Sequence, residues 1–224
     1  MTDDLRSVPL ARLELMDAAG RELAAAERAL ERQGFNVVGR LLRDEGPFYE
    51  WDHYPAGDVY DPHHGAQYFY HAHAAAQRAA EEHGHFHTFI RPGAKDRLHH
   101  LVAIAVDHRS QPIRLFTVNR WVTEDDWLAA GPTIGLLDRF VLDGAEPSRW
   151  VNRWLAALVR MFRPEIEALL HQRDAAIAAW QSRHAGEDPL AARDIEIMSE
   201  RAISVAAQVD AVARALAGGP RRRR

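Results

Sequence analysis

Two apolar runs in the middle of the chain, residues 98–106 and 113–122, place the strongest constraint on the fold. Each run has the length of a buried strand and contains β-branched residues, which pack well within a sheet. The link between them, residues 107–112, is short enough for the loop of a hairpin. These runs therefore predict an antiparallel pair of strands at the centre of the molecule.

Strand-like segments also precede this pair. Residues 67–73 are rich in aromatic side chains and residues 84–90 end before a proline–glycine sequence, so both are predicted to be strands. Residues 48–53 are aromatic and look extended, whereas the proline and glycine content of residues 54–57 and 58–65 predicts a turn and then a loop. We therefore expect a mostly antiparallel sheet of about four to five strands.

Helical periodicity is found on both sides of the sheet segment. Before it, residues 8–33 and 36–44 carry apolar side chains at helical spacing. After it, four more helices are predicted, at residues 124–142, 148–163, 164–184 and 189–216. This order predicts an α+β fold in which N-terminal helices and a C-terminal helical region flank the sheet.

The chain length suits one domain, which we divide into four parts. Residues 1–47 are assigned to N-terminal helices, residues 48–122 to a histidine-rich β-sheet core, and residues 123–216 to C-terminal helices that pack on the same domain. Residues 217–224, which end in four arginines, are expected to form a disordered basic tail. The C-terminal helices are also candidates for contact with a second copy of the chain in a homo-oligomer.

Charge and composition argue against several classes of function. The 28 basic and 32 acidic residues give a net charge of −4, so we expect no nucleic-acid partner. The chain has no cysteine, which excludes disulfides, thiolate metal ligands and cysteine nucleophiles. No signal-peptide apolar run and no run of about 18 apolar residues is found, so we expect a cytoplasmic protein without a membrane partner. The alanine- and arginine-rich composition favours a bacterial source.

Histidine is concentrated in one region, because eight of the 13 histidines lie within residues 51–92. Side chains alternate between the two faces of a strand, so histidines two positions apart share a face. The histidines that share a face in this way are His71 and His73 on one strand and His83, His85 and His87 on the next. If these two strands are neighbours, five imidazoles converge on one patch.

This pattern predicts a metal site. Neutral imidazole is a common ligand of transition metals, and three protein ligands with an open position allow water or substrate to bind. We predict a divalent transition metal, zinc, iron or copper, held by these five histidines, with a small-molecule ligand beside it. Asp58 or Glu82 would act as a further ligand or as a base. On this hypothesis the protein is a mononuclear metal-dependent enzyme.

A metal-free enzyme is the first alternative. The string HGHFH resembles the histidine-triad motif of a family of nucleotide hydrolases and transferases. That resemblance implies that His85 attacks a phosphorus atom of a phosphorylated small molecule, with His83 and His87 in support. Gly84 and Thr88 depart from the hydrophobic residues that the family has at these positions.

Two further hypotheses involve no catalysis. The same cluster can bind a metal or another ligand without reacting with it, or it can be a buried, hydrogen-bonded histidine network that only supports the fold. All the hypotheses that use five histidines require that the strand carrying His71 lies next to the strand carrying His83.

A longer resemblance is carried by six strings, GFNVVGRLLR, YEWDHYPAGDVYD, AQYFYHAH, EHGHFHTFIRP, RLFTVNRWVTEDDW and VNRWLAALVRMF. They are similar to an uncharacterised bacterial family, a domain of unknown function, over about residues 34–174. This resemblance implies no activity, substrate or cofactor, so the chemical argument rests on the histidines.

Overall fold

A computed structural model describes residues 5–93 and 97–218. Its helices are α1 (Leu10–Glu31), α2 (Val37–Leu42), α3 (Arg120–Thr123), α4 (Ala130–Leu136), α5 (Arg149–Met161), α6 (Arg163–Arg183) and α7 (Val205–Ala217). Its strands are β1 (Tyr54–Tyr60), β2 (Ala66–His71), β3 (Gly84–Ile90), β4 (His99–Val106), β5 (Pro112–Val118) and β6 (Ile197–Ala202). Two helices thus precede a block of five strands, and a sixth strand lies between the last two helices.

The six strands form one antiparallel sheet in the order β1-β2-β3-β4-β5-β6, so neighbours in sequence are also neighbours in space. The predicted α+β class is confirmed, with one strand more than the upper number expected. β2 and β3, the two histidine-bearing strands, pair directly, as the convergence of their histidines requires.

The edge strand β1 differs from the sequence-based expectation. It covers residues for which the sequence predicts a turn and a loop, because an edge strand accepts the proline and glycine that would interrupt a central one. Its register with β2 shifts between Tyr54 and Val59, and within this interval Gly57 and Asp58 have φ values of 85° and 59°. This irregular stretch resembles a bulge, which bends the edge of the sheet.

The other edge strand, β6, shows that the helix predicted over residues 189–216 is wrong. Only α7 in that range is an α-helix, and β6 pairs with the free edge of β5. The β6 sequence IMSERA contains good helix formers, but pairing with β5 overrides this local preference. A hydrogen bond of 2.7 Å between the hydroxyls of Thr117 and Ser199 joins the two strands. The helix predicted over residues 124–142 is likewise shorter, because α4 covers only its middle.

One face of the sheet packs against α5 and α6, and α1 packs on α5 as part of the same core. The core there includes Phe86, Ile104 and Leu115 from the sheet and Trp154 from α5, all 1% exposed or less. Each such side chain contributes about 1.5–3 kcal/mol on burial. Phe86 alternates with His85 and His87 along β3, so this face of the strand is buried in the helical core and the two histidines lie on the opposite face.

The C-terminal helix packs within its own chain. α7 contacts α1 through Leu13, Met16, Ala211 and Val212, so its apolar side is used intramolecularly, and contact with a second copy stays a prediction. No helix among the described residues is both long and apolar enough to cross a membrane. Residues 219–224 of the predicted basic tail lie outside the described residues.

Candidate metal centre

Three histidines meet on the face of the sheet opposite the helical core. The β2–β3 register places His71 directly across from His85, and His87 follows two residues later on the same face. The Nε2 atoms of His71 and His85 are 2.7 Å apart. The three side chains are buried, and one ring nitrogen from each lies within 4.8 Å of the other two. We call these residues the three-histidine cluster.

The nitrogen positions fit the coordination geometry of a transition metal. Nitrogen ligands at about 2.0–2.1 Å from a tetrahedral ion lie about 3.3 Å from one another. The separations in the cluster range from 2.7 Å for the closest pair to less than 4.8 Å. Since these values bracket the required one, small ring movements suffice for all three to reach one ion.

Glu82 holds His85 in a defined orientation. Its Oε1 accepts a hydrogen bond of 2.7 Å from Nδ1 of His85, and its Oε2 accepts one of 2.6 Å from Arg114. Burial alone acts to raise the pKa of Glu82, but the bonds to His85 and Arg114 outweigh this effect and lower the pKa. A proton on Nδ1 leaves the Nε2 lone pair of His85 directed into the cluster, as in carboxylate–histidine–metal arrangements.

A further imidazole supports His87. The Nδ1 atom of His87 lies 3.1 Å from Nε2 of His100, which belongs to β4. A register shift between Thr88 and Phe89 brings His100 opposite Phe89, and the backbone N–H of His100 donates to Asp125. The sequence leaves open whether His99 or His100 faces the cluster, and it is His100.

Burial keeps the rings of His71, His87 and His100 uncharged near neutral pH. Burial lowers the pKa of His71 to about 2 and that of His100 to about 4. Burial also lowers the pKa of His87 well below its ordinary value, and the neighbouring imidazoles add to the effect because like charges repel. Near neutral pH these imidazoles are therefore in the unprotonated form that binds a metal.

The other two predicted ligands occupy different places. His73 lies just beyond β2, half-buried, with its ring 5.0 Å from those of His71 and His85 and stacked at 4.2 Å on the exposed Trp51. It therefore stands at the rim of the cluster. His83 precedes β3 and turns to the helix side, where its Nδ1 is 2.5 Å from the hydroxyl of Tyr70.

Asp58 lies beside the site and contacts it indirectly. Its carboxylate pairs with Nδ1 of His53 at 3.2 Å and accepts a hydrogen bond of 2.9 Å from Gln67. The ring of His53 stacks on Phe69 at 3.6 Å and lies 5.7 Å from that of His71. His53 thus lies between Asp58 and the three-histidine cluster.

A cavity of about 370 Å³ adjoins the cluster. Its lining includes three of the predicted ligand histidines and two arginines, namely His73, His85, His87, Arg78 and Arg114. The segment before β6, residues 194–197, lines another part. One side of the cluster therefore faces open space.

Sequence reasoning missed Arg114 and the contribution of residues 194–197. A charged residue within the apolar run of β5, two positions before Phe116, was the available signal for Arg114, because both side chains share the histidine face. Residues 194–197 gave no such signal, since they line the cavity only once β6 pairs with β5.

Comparison with known proteins identifies the family of the chain. Residues 17–203 match the family described as a domain of unknown function (DUF6969). The match covers most of the sequence, so the chain belongs to this family, and the expected membership of an uncharacterised domain family is confirmed. No curated protein and no solved structure matches the chain.

Proposed function

We propose that this chain is a mononuclear metal-dependent enzyme whose metal ligands are His71, His85 and His87. One observation supports this above the others: three buried imidazoles converge, and a buried carboxylate orients one of them. Burial of polar rings is costly unless their nitrogens find partners, and one shared metal ion provides a partner for all three.

This ligand set favours zinc or copper over iron. Glu82 has both oxygens engaged, by His85 and by Arg114, so it does not add a carboxylate to the ligands. A set of two histidines and one carboxylate is typical of non-haem iron, whereas ligands that are all imidazoles suit zinc or copper. Zinc at such a site supplies Lewis acidity and a nucleophile at neutral pH.

Catalysis is favoured over purely structural metal binding because the cluster supplies three ligands and opens onto a cavity. Structural zinc sites are closed by four protein ligands, whereas catalytic sites keep one position open. His73 lines the cavity beside His85 and is placed to exchange a proton with a bound molecule. In a non-catalytic metal-binding protein, His73 would instead close the site as the fourth ligand.

The metal-free alternative has less support. The histidine-triad resemblance implies that His83 and His87 both assist His85, but His83 contacts Tyr70 and lies 5.1 Å, ring to ring, from His108. That mechanism also needs Nε2 of His85 to face a substrate, and this atom lies against His71.

Metal content is the direct test. We expect untagged protein, purified without a metal column, to contain about one equivalent of a transition metal. Zinc at about a hundred times its dissociation constant should raise the melting temperature of metal-free protein by about 5–10 °C. His85→Ala and His87→Ala should abolish this shift, because each removes a ligand.

Two histidine variants serve as controls. His63→Ala changes an exposed histidine, and His83→Ala changes the predicted ligand that turns away, so both should keep the shift. Less than about a tenth of an equivalent of metal, together with no zinc-dependent shift, contradicts the proposal. If His85→Ala then abolished hydrolysis of nucleoside phosphoramidates, the metal-free alternative would hold.

A further inference from the structure

The cavity beside the cluster has the size of a small-molecule site. Its volume of about 370 Å³ lies near the lower end of the range of about 300–1,000 Å³ found for such pockets. His85 and His87 line it together with an apolar surface, formed by Phe116, Val118, Val122, Ile195 and Ile197. A ligand that fills this space therefore needs an apolar part.

The charged groups of the cavity differ in how they are satisfied. Arg114 is paired with Glu82 and with Glu200, at 2.6 Å in each case. Arg78 donates one hydrogen bond, to the backbone carbonyl of His83, and within residues 5–93 and 97–218 no carboxylate forms an ion pair with it. Since a guanidinium has five N–H donors, Arg78 retains donors for a ligand.

Two of the three carboxylates that line the cavity lie at the opposite wall, whereas the third, that of Glu82, is paired with Arg114 and His85. Arg78 belongs to the segment that leads into β3, whereas Asp194 and Glu196 belong to the segment that leads into β6. The carboxylate of Asp194 accepts a hydrogen bond of 3.3 Å from the indole of Trp180, a residue that does not line the cavity. The two walls are about 10 Å or more apart, because β4 separates β3 from β5. An anionic group beside Arg78 is thus kept away from these carboxylates.

We propose that the cavity binds a small amphipathic anion, whose carboxylate or phosphate is held by Arg78 and whose apolar part packs on the Phe116 side. This inference rests on the proposed function, since it names the substrate class of the same site. Arginine matches the planar, two-oxygen geometry of such anions, and its hydrogen bonds to them are charge-assisted.

Four probes of similar length test the ligand class. Hexanoate and butyl phosphate carry the anionic group, hexanamide is neutral and hexylamine is a cation. We expect ligand-observed NMR to show that hexanoate or butyl phosphate binds at least about tenfold more tightly than hexanamide, in both metal-free and zinc-loaded protein. Whichever of the two anions binds more tightly identifies the anionic group.

Variants then assign the preference to Arg78. Arg78→Gln keeps a donor for the His83 carbonyl but removes the charge, so the anion preference should fall to about twofold or less, and Arg78→Lys should restore part of it. Glu196→Gln is the matched control on the other wall and should keep the preference. If Arg78→Gln does not fold, the anion preference of Arg78→Lys and of the wild-type protein still tests this inference.

Several outcomes overturn this inference. They are equal binding of hexanoate and hexanamide, tighter binding of hexylamine, absence of anion binding, and an anion preference that Arg78→Gln leaves intact. If zinc binds and the anion preference is absent, this inference alone fails. If the preference is present and zinc does not bind, the metal proposal fails while the ligand class stands.

Discussion

Lowering the pH of the metal-free protein from 7 to 5 is expected to reduce its free energy of unfolding by about 4 kcal/mol through His71 and His87 alone, and His100 and His73, whose pKa values are also lowered, add to this loss. In the unfolded chain each histidine titrates near pH 6.5. In the folded chain burial lowers the pKa of His71 to about 2 and that of His87 well below its ordinary value. The unfolded state therefore binds protons in this window that the folded state does not.

The sign and the size of the change in the free energy of unfolding follow from this difference in bound protons. The stability due to each ring is fully present above about pH 6.5 and declines as the pH falls toward the folded pKa. At pH 5, about 1.5 units below the unfolded value, each ring costs about 2 kcal/mol, and two rings cost about 4 kcal/mol. Glu82, whose pKa is lowered, loses its contribution only below about pH 4.5, outside this window.

Urea denaturation at constant ionic strength, with a chelator present, measures this effect. The variant His71→Gln lacks one of the two rings, so its loss between pH 7 and pH 5 should be about 2 kcal/mol smaller than that of the wild type. A wild-type loss below about 1 kcal/mol, or a variant as sensitive to pH as the wild type, would refute the claim that burial holds these rings neutral.

Three further predictions concern single residues of the site. Glu82→Gln should weaken zinc binding by about 10–100-fold in calorimetric titration, because it disturbs the orientation of His85, and an unchanged affinity would contradict this role. Gly84→Ala should lower the free energy of unfolding measured with urea by about 1–3 kcal/mol, because the added Cβ would lie 2.4 Å from the Tyr70 hydroxyl and 2.5 Å from the His71 carbonyl. An unchanged free energy of unfolding would show that these neighbours move aside to accept the Cβ. His73→Gln should change zinc affinity less than about tenfold if His73 stands at the rim, and a larger loss would make it a fourth ligand.

The centre of the fold was predictable because its signals are local. The apolar runs of β4 and β5 and the alternation along β3 indicate strands without knowledge of the neighbours. The edge strands were not predictable in this way. β1 contains turn-forming residues and β6 contains helix formers, and each becomes a strand by pairing with a sheet edge that a local pattern does not show.

The same distinction between local and non-local signals applies to the residues of the candidate site. Strand parity correctly brought together His71, His85 and His87, because parity holds inside a regular strand pair. It failed for His83, which stands just before β3, where the backbone need not alternate. Arg114 binds the Glu82 carboxylate that pairs with His85, but it comes from β5, two strands away from β3, so no sequence spacing relates it to the histidines.

Under the proposed function, the late position of β6 in the chain would separate the residues that hold the metal from part of the wall that contacts the substrate. The cluster is built from one strand pair, β2 and β3, whereas residues 194–197 reach the cavity wall from more than a hundred positions further along. Substitutions in that wall can therefore alter which molecules enter without touching a ligand histidine. If the proposed function holds, chains that share the cluster can differ in the molecules that they bind, and zinc affinity that is unaffected by exchanging this wall segment would demonstrate the separation.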